Sequence, residues 1–132
     1  MTEPWEFGPQ PSHVHIERYG AQSLVLPHCS LVVSHGGSGS VMGALAHAVP
    51  MVVAPIGADQ PLNASRCEAL GVGRVLDAVH ATPADAAEAV SAVLERPGYR
   101  DAAARLAREI EQLPRPEHAV DLLEQLVSAG SV

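Results

Sequence analysis

Residues 31–40 read LVVSHGGSGS and join a short β-branched run to a turn that is rich in glycine. Residues 31–34 are typical of a buried strand, and residues 41–48, after the turn, predict a helix. A second buried strand is predicted at residues 51–54. Strands that alternate with helices form parallel sheets covered by helices, so this stretch predicts an α/β fold.

Further elements on both sides extend this pattern. A helix is predicted at residues 62–70, with Gly71 as its stop, and a short strand at residues 72–76. Upstream, alternating apolar and polar side chains predict a strand at residues 14–18, and residues 22–28 predict one or two helical turns. Three or four strands make a small doubly wound domain, so we expect a partial Rossmann-like parallel sheet.

The two ends of the chain differ from this centre. Residues 1–13 hold three prolines and predict an extended N-terminal segment. Residues 82–128 predict a helical tail, in which Thr82-Pro83 signals a helix start. Pro97-Gly98 is predicted to break the tail before a helix near residues 100–113, and a last helix carries an apolar stripe.

Length and charge restrict the function. The 132 residues suit one domain, residues 1–132, and 47% of them are apolar, enough for a core. The net charge of −7 argues against nucleic acid or an anionic membrane as the main partner. All eight basic residues are arginine, which removes mechanisms that need an amine, such as a P-loop lysine or a Schiff base.

The two cysteines do not indicate metal or disulfide chemistry. Cys29 and Cys67 form no CxxC pair, and the cluster of His28, Cys29 and His35 matches no common zinc spacing. No signal peptide and no apolar stretch of about 18 residues is present. We therefore expect a cytoplasmic protein with reduced thiols and no metal site.

The glycine-rich turn has the geometry of a phosphate site, although its glycines could also serve only a tight turn. Backbone amides and hydroxyls of residues 37–40 (Gly37, Ser38, Gly39 and Ser40) lie at a predicted helix start, where the dipole adds about 0.3–2 kcal/mol of attraction for an anion. His35 lies at the carboxyl edge of a strand, where open α/β sheets bind ligands. Strand, turn and helix in this order favour the functional interpretation.

Asp59 and Gln60 follow the next strand and should face the same crevice as His35. A carboxylate beside an amide suits the adjacent hydroxyls of a sugar. Asp59, just before Pro61, also fits a helix N-cap, and the two roles are compatible.

A dinucleotide fingerprint is not met. After Gly37 and Gly39 the third position of G-x-G-x-x-G is Met42, and Gly43 comes one residue late. A nicotinamide-dependent dehydrogenase is therefore the minor hypothesis, although Asp59 lies about 20 residues on, as the ribose-binding acid should.

Four segments in order resemble the donor-binding half of GT-B glycosyltransferases. They are YGAQSLVLPH at residues 19–28, HGGSGS at 35–40, AVPMVVAP at 48–55 and DQPLNA at 59–64. More narrowly, they are similar to the family-1 enzymes that glycosylate natural products, such as the bacterial macrolide and antibiotic transferases. The resemblance covers about residues 14–76, and the helical tail is compatible with it.

The resemblance implies roles for the matching residues. The donor diphosphate would be bound by His35, Gly37, Ser38, Gly39 and Ser40. Asp59 and Gln60 would hold sugar hydroxyls. Gln22 would lie near the nucleoside, and Tyr19 stands where many members have a tryptophan that stacks on the base. Ala21 replaces the usual proline, and Gly43 stands where plant members place a ribose-binding glutamate. Because of these departures, the nucleoside of the donor could be uridine or thymidine.

The family enzymes have two Rossmann-like domains, and the N-terminal one binds the acceptor and carries the catalytic base, usually a histidine. Nothing in this chain corresponds to it, and the opening strands of the donor domain are also missing. The resemblance thus implies the donor-binding portion of an inverting transferase. It would use a UDP- or dTDP-sugar without a metal or cofactor, and would be inactive without an acceptor domain or a partner chain.

Other functions stay open. The chain could be a non-catalytic nucleotide-sugar-binding remnant or a helper protein for a full-length transferase. A nucleotide-sugar epimerase would need acid–base residues in the crevice, where the sequence places only His35 and Asp59. Ser34 is not inside a G-x-S-x-G elbow, which disfavours a hydrolase. A partial sheet exposes an edge, so a homo-oligomer is a further possibility.

Overall fold

The centre of the computed structural model, which describes residues 3–130, is a sheet of three parallel strands. They are β1 (Val32–Ser34), β2 (Met51–Val53) and β3 (Gly73–Val75), in the spatial order β1-β2-β3. The predicted α/β fold with a small parallel sheet is confirmed, and the described residues form three strands.

The helices alternate with the strands and then continue alone. The described α-helices are α1 (Gln22–Val25), α2 (Ser38–Ala46), α3 (Gln60–Ala69), α4 (Pro83–Glu95), α5 (Pro97–Glu111) and α6 (Pro116–Ala129). Single 3-10 turns lie at Pro4–Phe7 and Leu26–His28.

The core lies on both faces of β2, the central strand, whose three residues are fully buried. Met51 and Val53 belong to a cluster with buried residues of α2, α3 and α5. Val52 points the other way, into a cluster with Ala89 and Val93 of α4. Because successive side chains of a strand point to opposite faces, this short apolar run packs helices on both sides of the sheet.

Two helix boundaries agree with their sequence signals. Gly71 ends α3 with a φ of 70°, the left-handed conformation that glycine adopts without strain. Thr82 caps α4, because its Oγ1 accepts a hydrogen bond from the Asp85 amide at 3.2 Å. The Asp85 carboxylate in turn accepts one from the Thr82 amide at 2.8 Å, which completes a capping box.

Two predictions near the N-terminus are wrong. Residues 14–18 form no strand, because a strand needs a neighbour for its backbone hydrogen bonds and an alternating pattern does not supply one. The segment at residues 1–13 is not extended throughout, since Pro4–Phe7 form a 3-10 turn. Proline at the first helical position favours such a turn. Residues 1–2 lie outside the described part.

Two other boundaries differ from expectation. Helix α2 begins at Ser38 and not at residue 41, so half of the glycine-rich turn is its first helical turn. Pro97-Gly98 does not separate two helices by a break, because Arg96 alone lies between α4 and α5. Pro97 is the first residue of α5, where its missing N–H and fixed φ are tolerated.

Helix α6 has the predicted apolar stripe but buries none of its residues. Val120, Leu123 and Leu126 are 54%, 62% and 69% exposed. None of the helices in residues 3–130 is long and apolar enough to cross a bilayer.

Candidate functional site

The candidate site lies where β1 and β2 end. His35 and the glycine-rich turn follow β1, and Asp59 lies just before α3, after β2. The carboxyl ends of parallel strands meet at one edge of the sheet. The Ser38 hydroxyl donates a hydrogen bond of 2.8 Å to Asp59 Oδ2, so residues 21 apart in sequence are in contact.

The first turn of α2 offers backbone donors. Ser38, Gly39 and Ser40 are its first residues, and the N-cap residue, Gly37, has no side chain to accept from their amides. The first amides of a helix have no partner within the helix, and the helix dipole adds positive potential there. This helix start is therefore suited to an anion.

The three glycines of the turn differ in whether the fold requires them. A Cβ on Gly37 would lie 2.6 Å from His35 Nε2, so the absence of a side chain lets the imidazole lie against the turn. Gly36 has a φ of 83°, and a Cβ on it would lie 2.5 Å from Val53 Cγ1 in the core. A Cβ on Gly39 would meet nothing within 4 Å. The fold itself therefore does not require glycine at position 39.

Asp59 is held as a carboxylate by donors on two elements. Its Oδ2 accepts hydrogen bonds from the Ser38 hydroxyl and, at 2.9 Å, from Asn63 Nδ2. The bond from Ser38, then those from Asn63 and from its own backbone amide, hold the pKa of Asp59 below its ordinary value. The side chain does not cap α3, so the predicted N-cap contact is absent although Asp59 occupies the N-cap position.

The side-chain oxygen of Gln60 is held by the loop after β2. Its Oε1 accepts hydrogen bonds from the amides of Ile56 and Gly57, at 2.8 Å and 3.1 Å. Because backbone N–H groups only donate, the oxygen must face the loop, which leaves the Nε2 amide group to donate elsewhere. Asp59 thus accepts and Gln60 donates, which together suit two neighbouring hydroxyls.

No hydrogen bond joins the two residues expected near a nucleoside, Gln22 and Tyr19, to the glycine-rich turn or to Asp59 among the contacts of residues 3–130. Gln22, on α1, lies beside α2, with its Oε1 3.8 Å from where a Cβ on Gly43 would be. Gly43 is one helical turn beyond Gly39. Tyr19 is 86% exposed on irregular backbone before α1. The structure brings Gln22 to the flank of α2 and leaves the Tyr19 ring open to solvent.

Sequence reasoning missed Asn63, whose side-chain amide contacts both halves of the site. Its Nδ2 donates to the Gly36 carbonyl at 3.0 Å as well as to Asp59. The spacing of Asn63 from Asp59 is the i, i+4 spacing of helix neighbours, which could have indicated the second contact. The contact with Gly36 joins residues 27 apart, and no local pattern indicates it.

A groove of about 490 Å³ continues from His35 along the carboxyl edge of the sheet to the loop after β3. Ala54, Ile56 and Leu76 line it. Asp77 at its rim accepts hydrogen bonds from the Val79 and His80 amides and contacts His80 Nδ1 at 2.9 Å. The His80 contact and these amides lower the pKa of Asp77 to about 2. The hydrogen bonds of this carboxylate are thus with residues of its own loop.

No metal centre is formed by the described residues. Within residues 3–130 no three His, Cys, Asp or Glu side chains are placed to hold an ion. Cys29 and Cys67 are free thiols, and burial raises the pKa of Cys67.

Fold and site together define a class of protein. A parallel α/β sheet whose glycine turn leads into a helix N-terminus, beside an acid and an amide, is typical of domains that bind phosphate-bearing ligands. Residues 8–126 match the family described as "Erythromycin biosynthesis protein CIII-like, C-terminal domain". The chain belongs to this family of macrolide and antibiotic glycosyltransferase domains.

The chain is similar over most of its length to a synthase and to a desosaminyl transferase. The 4'-demethylrebeccamycin synthase of Lentzea aerocolonigenes is 40% identical over 124 residues, which are 94% of this chain and 30% of that protein. The 3-alpha-mycarosylerythronolide B desosaminyl transferase of Saccharopolyspora erythraea is 34% identical over 118 residues, 89% of this chain and 28% of that protein. The chain therefore spans about 30% of the length of these relatives.

A solved structure agrees with this assignment. The glycosyltransferase VinC, crystallised in complex with dTDP, superimposes with a TM-score of 0.89 at 25% identity. The match covers 95% of this chain and 32% of that one. The predicted resemblance to the C-terminal half of a GT-B transferase is confirmed for fold and family.

Proposed function

We propose that this chain is the donor-binding portion of an inverting glycosyltransferase that moves a sugar from a nucleotide diphosphate sugar to a hydroxyl of a small-molecule acceptor. The observation that carries the proposal is the hydrogen bond between Ser38 and Asp59. It joins the first turn of α2, which would bind an anion, to the Asp59–Gln60 pair, which would bind sugar hydroxyls. The family, and the complex of VinC with dTDP, support a UDP- or dTDP-sugar as donor.

The first turn of α2 would bind the diphosphate. The amides of Ser38, Gly39 and Ser40 and the His35 imidazole are donors beside a space that the protein leaves open at Gly39. Negative charge grows on the diphosphate as the bond to the sugar breaks. Fixed donors aimed at that charge would stabilise the transition state more than the bound donor.

Asp59 and Gln60 would orient the sugar. Asp59 accepts from one hydroxyl, and Gln60 donates through Nε2 to a neighbouring one, because its Oε1 is held by the loop. Gln22 and Tyr19 would contact the nucleoside. Gln22 lies beside Gly43 of α2, and the Tyr19 ring is exposed enough to stack on a base.

The acceptor and its base would come from elsewhere. Displacement at the anomeric carbon needs a group that deprotonates the acceptor hydroxyl. The family matched is a C-terminal domain, and the chain spans about 30% of its relatives. We therefore expect the isolated chain to bind the donor without transferring its sugar, and an acceptor-binding domain or partner chain to complete the enzyme. The proposed reaction uses no metal or cofactor besides the nucleotide sugar.

Calorimetric titration of UDP and dTDP into the purified chain tests the proposal. We expect binding of at least one nucleotide and about a tenfold or greater loss in His35→Ala, because a hydrogen bond to a charged group is removed. His118→Ala is the matched control, since His118 is an exposed histidine of α6, and it should bind as the wild type does.

Two outcomes contradict the proposal. A folded chain that binds neither nucleotide would be a remnant whose family membership records ancestry alone. Equal affinities of the wild type and His35→Ala would show that His35 does not contact the diphosphate, which would then bind elsewhere than at the glycine-rich turn. Sugar transfer to a panel of small-molecule hydroxyl acceptors by the purified chain would contradict the need for a second domain.

A further inference from the structure

Asn63 joins the two loops of the candidate site through one side-chain nitrogen. Its Nδ2 donates to the Gly36 carbonyl at 3.0 Å and to Asp59 Oδ2 at 2.9 Å, and lies 3.4 Å from Ser38 Oγ. The side chain is half-buried beneath the turn, and Asn63 is the only asparagine of the chain. One amide thus contacts the turn after β1 and the carboxylate that precedes α3.

The chemistry of this position requires two donors. A carboxamide nitrogen carries two hydrogens, which match the two acceptors, a carbonyl and a carboxylate. Ser38 cannot replace it, because its single proton already goes to Asp59. An aspartate at position 63 would have the right size, but its carboxylate oxygens would face the Gly36 carbonyl and the Asp59 carboxylate, which are also acceptors. The Asn63 amide therefore supports the Asp59 carboxylate beside the direct bond from Ser38, and it alone also contacts the Gly36 carbonyl.

We propose that Asn63 is a positioning residue that holds the Asp59 carboxylate in register with the turn, so that diphosphate and sugar of one donor molecule are recognised by a single rigid unit. This role rests on the proposed function. Asn63 acts through Asp59 and Gly36, and its own contacts are with the protein. A donor with both a diphosphate and a sugar should therefore depend on Asn63 more than a diphosphate alone.

A purely structural role makes a different prediction. If Asn63 only held α3 against the turn, its removal would lower the stability of the fold and weaken every ligand by a similar factor. That factor would be the same whether or not Asp59 is present. The positioning role requires instead that the effect of Asn63 on the sugar passes through Asp59, which a double-mutant cycle measures.

Calorimetry with four probes separates these cases: UDP, dTDP, UDP-glucose and dTDP-glucose. We expect Asn63→Ala to weaken the better-bound nucleotide sugar about tenfold and the matching diphosphate less than about threefold, because one charged hydrogen-bond partner loses its support. In an Asp59→Ala background, Asn63→Ala should weaken the nucleotide sugar by less than about twofold further. Asn63→Asp should bind the nucleotide sugar at least as weakly as Asn63→Ala does, because it places a second carboxylate beside that of Asp59.

A second measurement, by NMR spectroscopy, uses the wild-type chain and so needs no variant to fold. In a chain labelled with ¹⁵N-asparagine, Asn63 supplies the one side-chain NH₂ pair of the spectrum. Both protons should exchange slowly and lie downfield of a free amide, and both should shift when the nucleotide sugar binds. Two protons with the shifts of a free amide in the folded chain would overturn the bridge itself.

The outcomes distinguish the two proposals. If the folded wild type binds none of the four probes, the proposed function fails and the positioning role fails with it. If the wild type binds and Asn63→Ala weakens all probes equally, in both Asp59 backgrounds, the positioning role alone fails and Asn63 is a structural contact.

Discussion

At the scale of single residues, the glycine-rich turn shows how the same residue type answers different demands. Gly36 is required by a left-handed backbone beside Val53, and Gly37 by the ring of His35. Gly39 is required by neither backbone nor packing, since a Cβ there would meet nothing within 4 Å. At the proposed diphosphate site, the absence of a side chain on Gly39 would let a ligand approach the backbone closely.

We predict that Gly39→Ala separates stability from binding. Alanine in place of a helical glycine should leave the free energy of unfolding unchanged or raise it by up to about 1 kcal/mol. The added methyl group should weaken UDP or dTDP about tenfold by keeping the diphosphate from the amides. Urea unfolding and calorimetry measure the two effects.

Gly98→Ala is the matched control for this prediction. Gly98 is the second residue of α5, as Gly39 is of α2, and a Cβ there also meets nothing within 4 Å. It should change stability in the same direction without changing affinity. Unaltered nucleotide affinity in Gly39→Ala would remove the ligand-based explanation of this glycine.

Gly36→Ala should instead unfold more easily, because its Cβ would lie 2.5 Å from Val53 Cγ1 at a φ of 83°. Backbone strain and overpacking together are expected to cost about 2 kcal/mol or more, measured by urea unfolding. Gly57→Ala, where a Cβ meets nothing within 4 Å, is the control. Equal unfolding midpoints of the two variants would show that the turn can relax.

At the scale of elements, the helix starts position the chemistry. The N-cap of α2 is a glycine, which leaves the first amides to a ligand, whereas that of α4 is Thr82, whose side chain satisfies one of them. Capping stabilises α4, which covers Val52 on the face of the sheet opposite α2. The start of α2 at the glycine-rich turn is thus uncapped, whereas the start of α4, at the other end of the groove that begins at His35, is capped.

We expect Thr82→Ala to lower the free energy of unfolding by about 1 kcal/mol, the usual cost of a lost N-cap. Thr82→Ser keeps the hydroxyl and should retain most of the free energy of unfolding that Thr82→Ala loses. Nucleotide affinity should stay unchanged in both, because neither touches the turn after β1. Equal stabilities of the alanine and serine variants would contradict the capping box.

At the scale of the whole molecule, stability should depend on pH, because three exposed carboxylates accept hydrogen bonds that lower their pKa values. The pKa values of Asp59, Asp77 and Asp85 lie below the ordinary 3.8, and that of Asp77 is about 2. A carboxyl group whose pKa is lower in the folded than in the unfolded state contributes stability above its unfolded pKa. That contribution is lost as the pH falls through the folded pKa.

We therefore predict a urea midpoint that is flat from pH 7 to pH 5 and decreases between about pH 4 and pH 2. Asp77→Asn should lower the midpoint at pH 6 modestly and change it little near pH 2, so its acid dependence is weaker. Asp121→Asn, on the exposed helix α6, is the control and should keep the wild-type pH dependence. Parallel pH curves for Asp77→Asn and the wild type would contradict the role of this loop.

Helix α6 should contribute little to the stability of the rest of the chain, because none of its residues is buried. A chain that ends after Pro114 should lose helical circular dichroism but keep its urea midpoint. A chain that ends after Arg96 is the control, since it also loses Ala102, Ala103 and Ala107, which are buried residues of α5. It should fail to fold, and a large loss of stability in the first truncation would show that α6 packs in solution.

How much of this could be predicted differs between elements. The strands at Val32–Ser34 and Met51–Val53, the end of α3 at Gly71 and the cap at Thr82 were predicted, because each depends on residues within a few positions. The strand at residues 14–18 was wrong, since pairing depends on a neighbour that periodicity does not reveal. The roles predicted for the site residues stay predictions, and the hydrogen bond between Ser38 and Asp59 was not among them.

The amino-acid sequence alone predicts the α/β class, the family resemblance and most helix and strand positions, because propensity, periodicity and capping act over short distances. Three features are visible only in the folded chain: Asn63 bridges Gly36 and Asp59, Gln60 turns its oxygen to the loop, and a Cβ on Gly39 would meet nothing within 4 Å. These facts depend on hydrogen bonds and clearances between segments distant along the chain. Such contacts exist only once the sheet has set the distance between its loops.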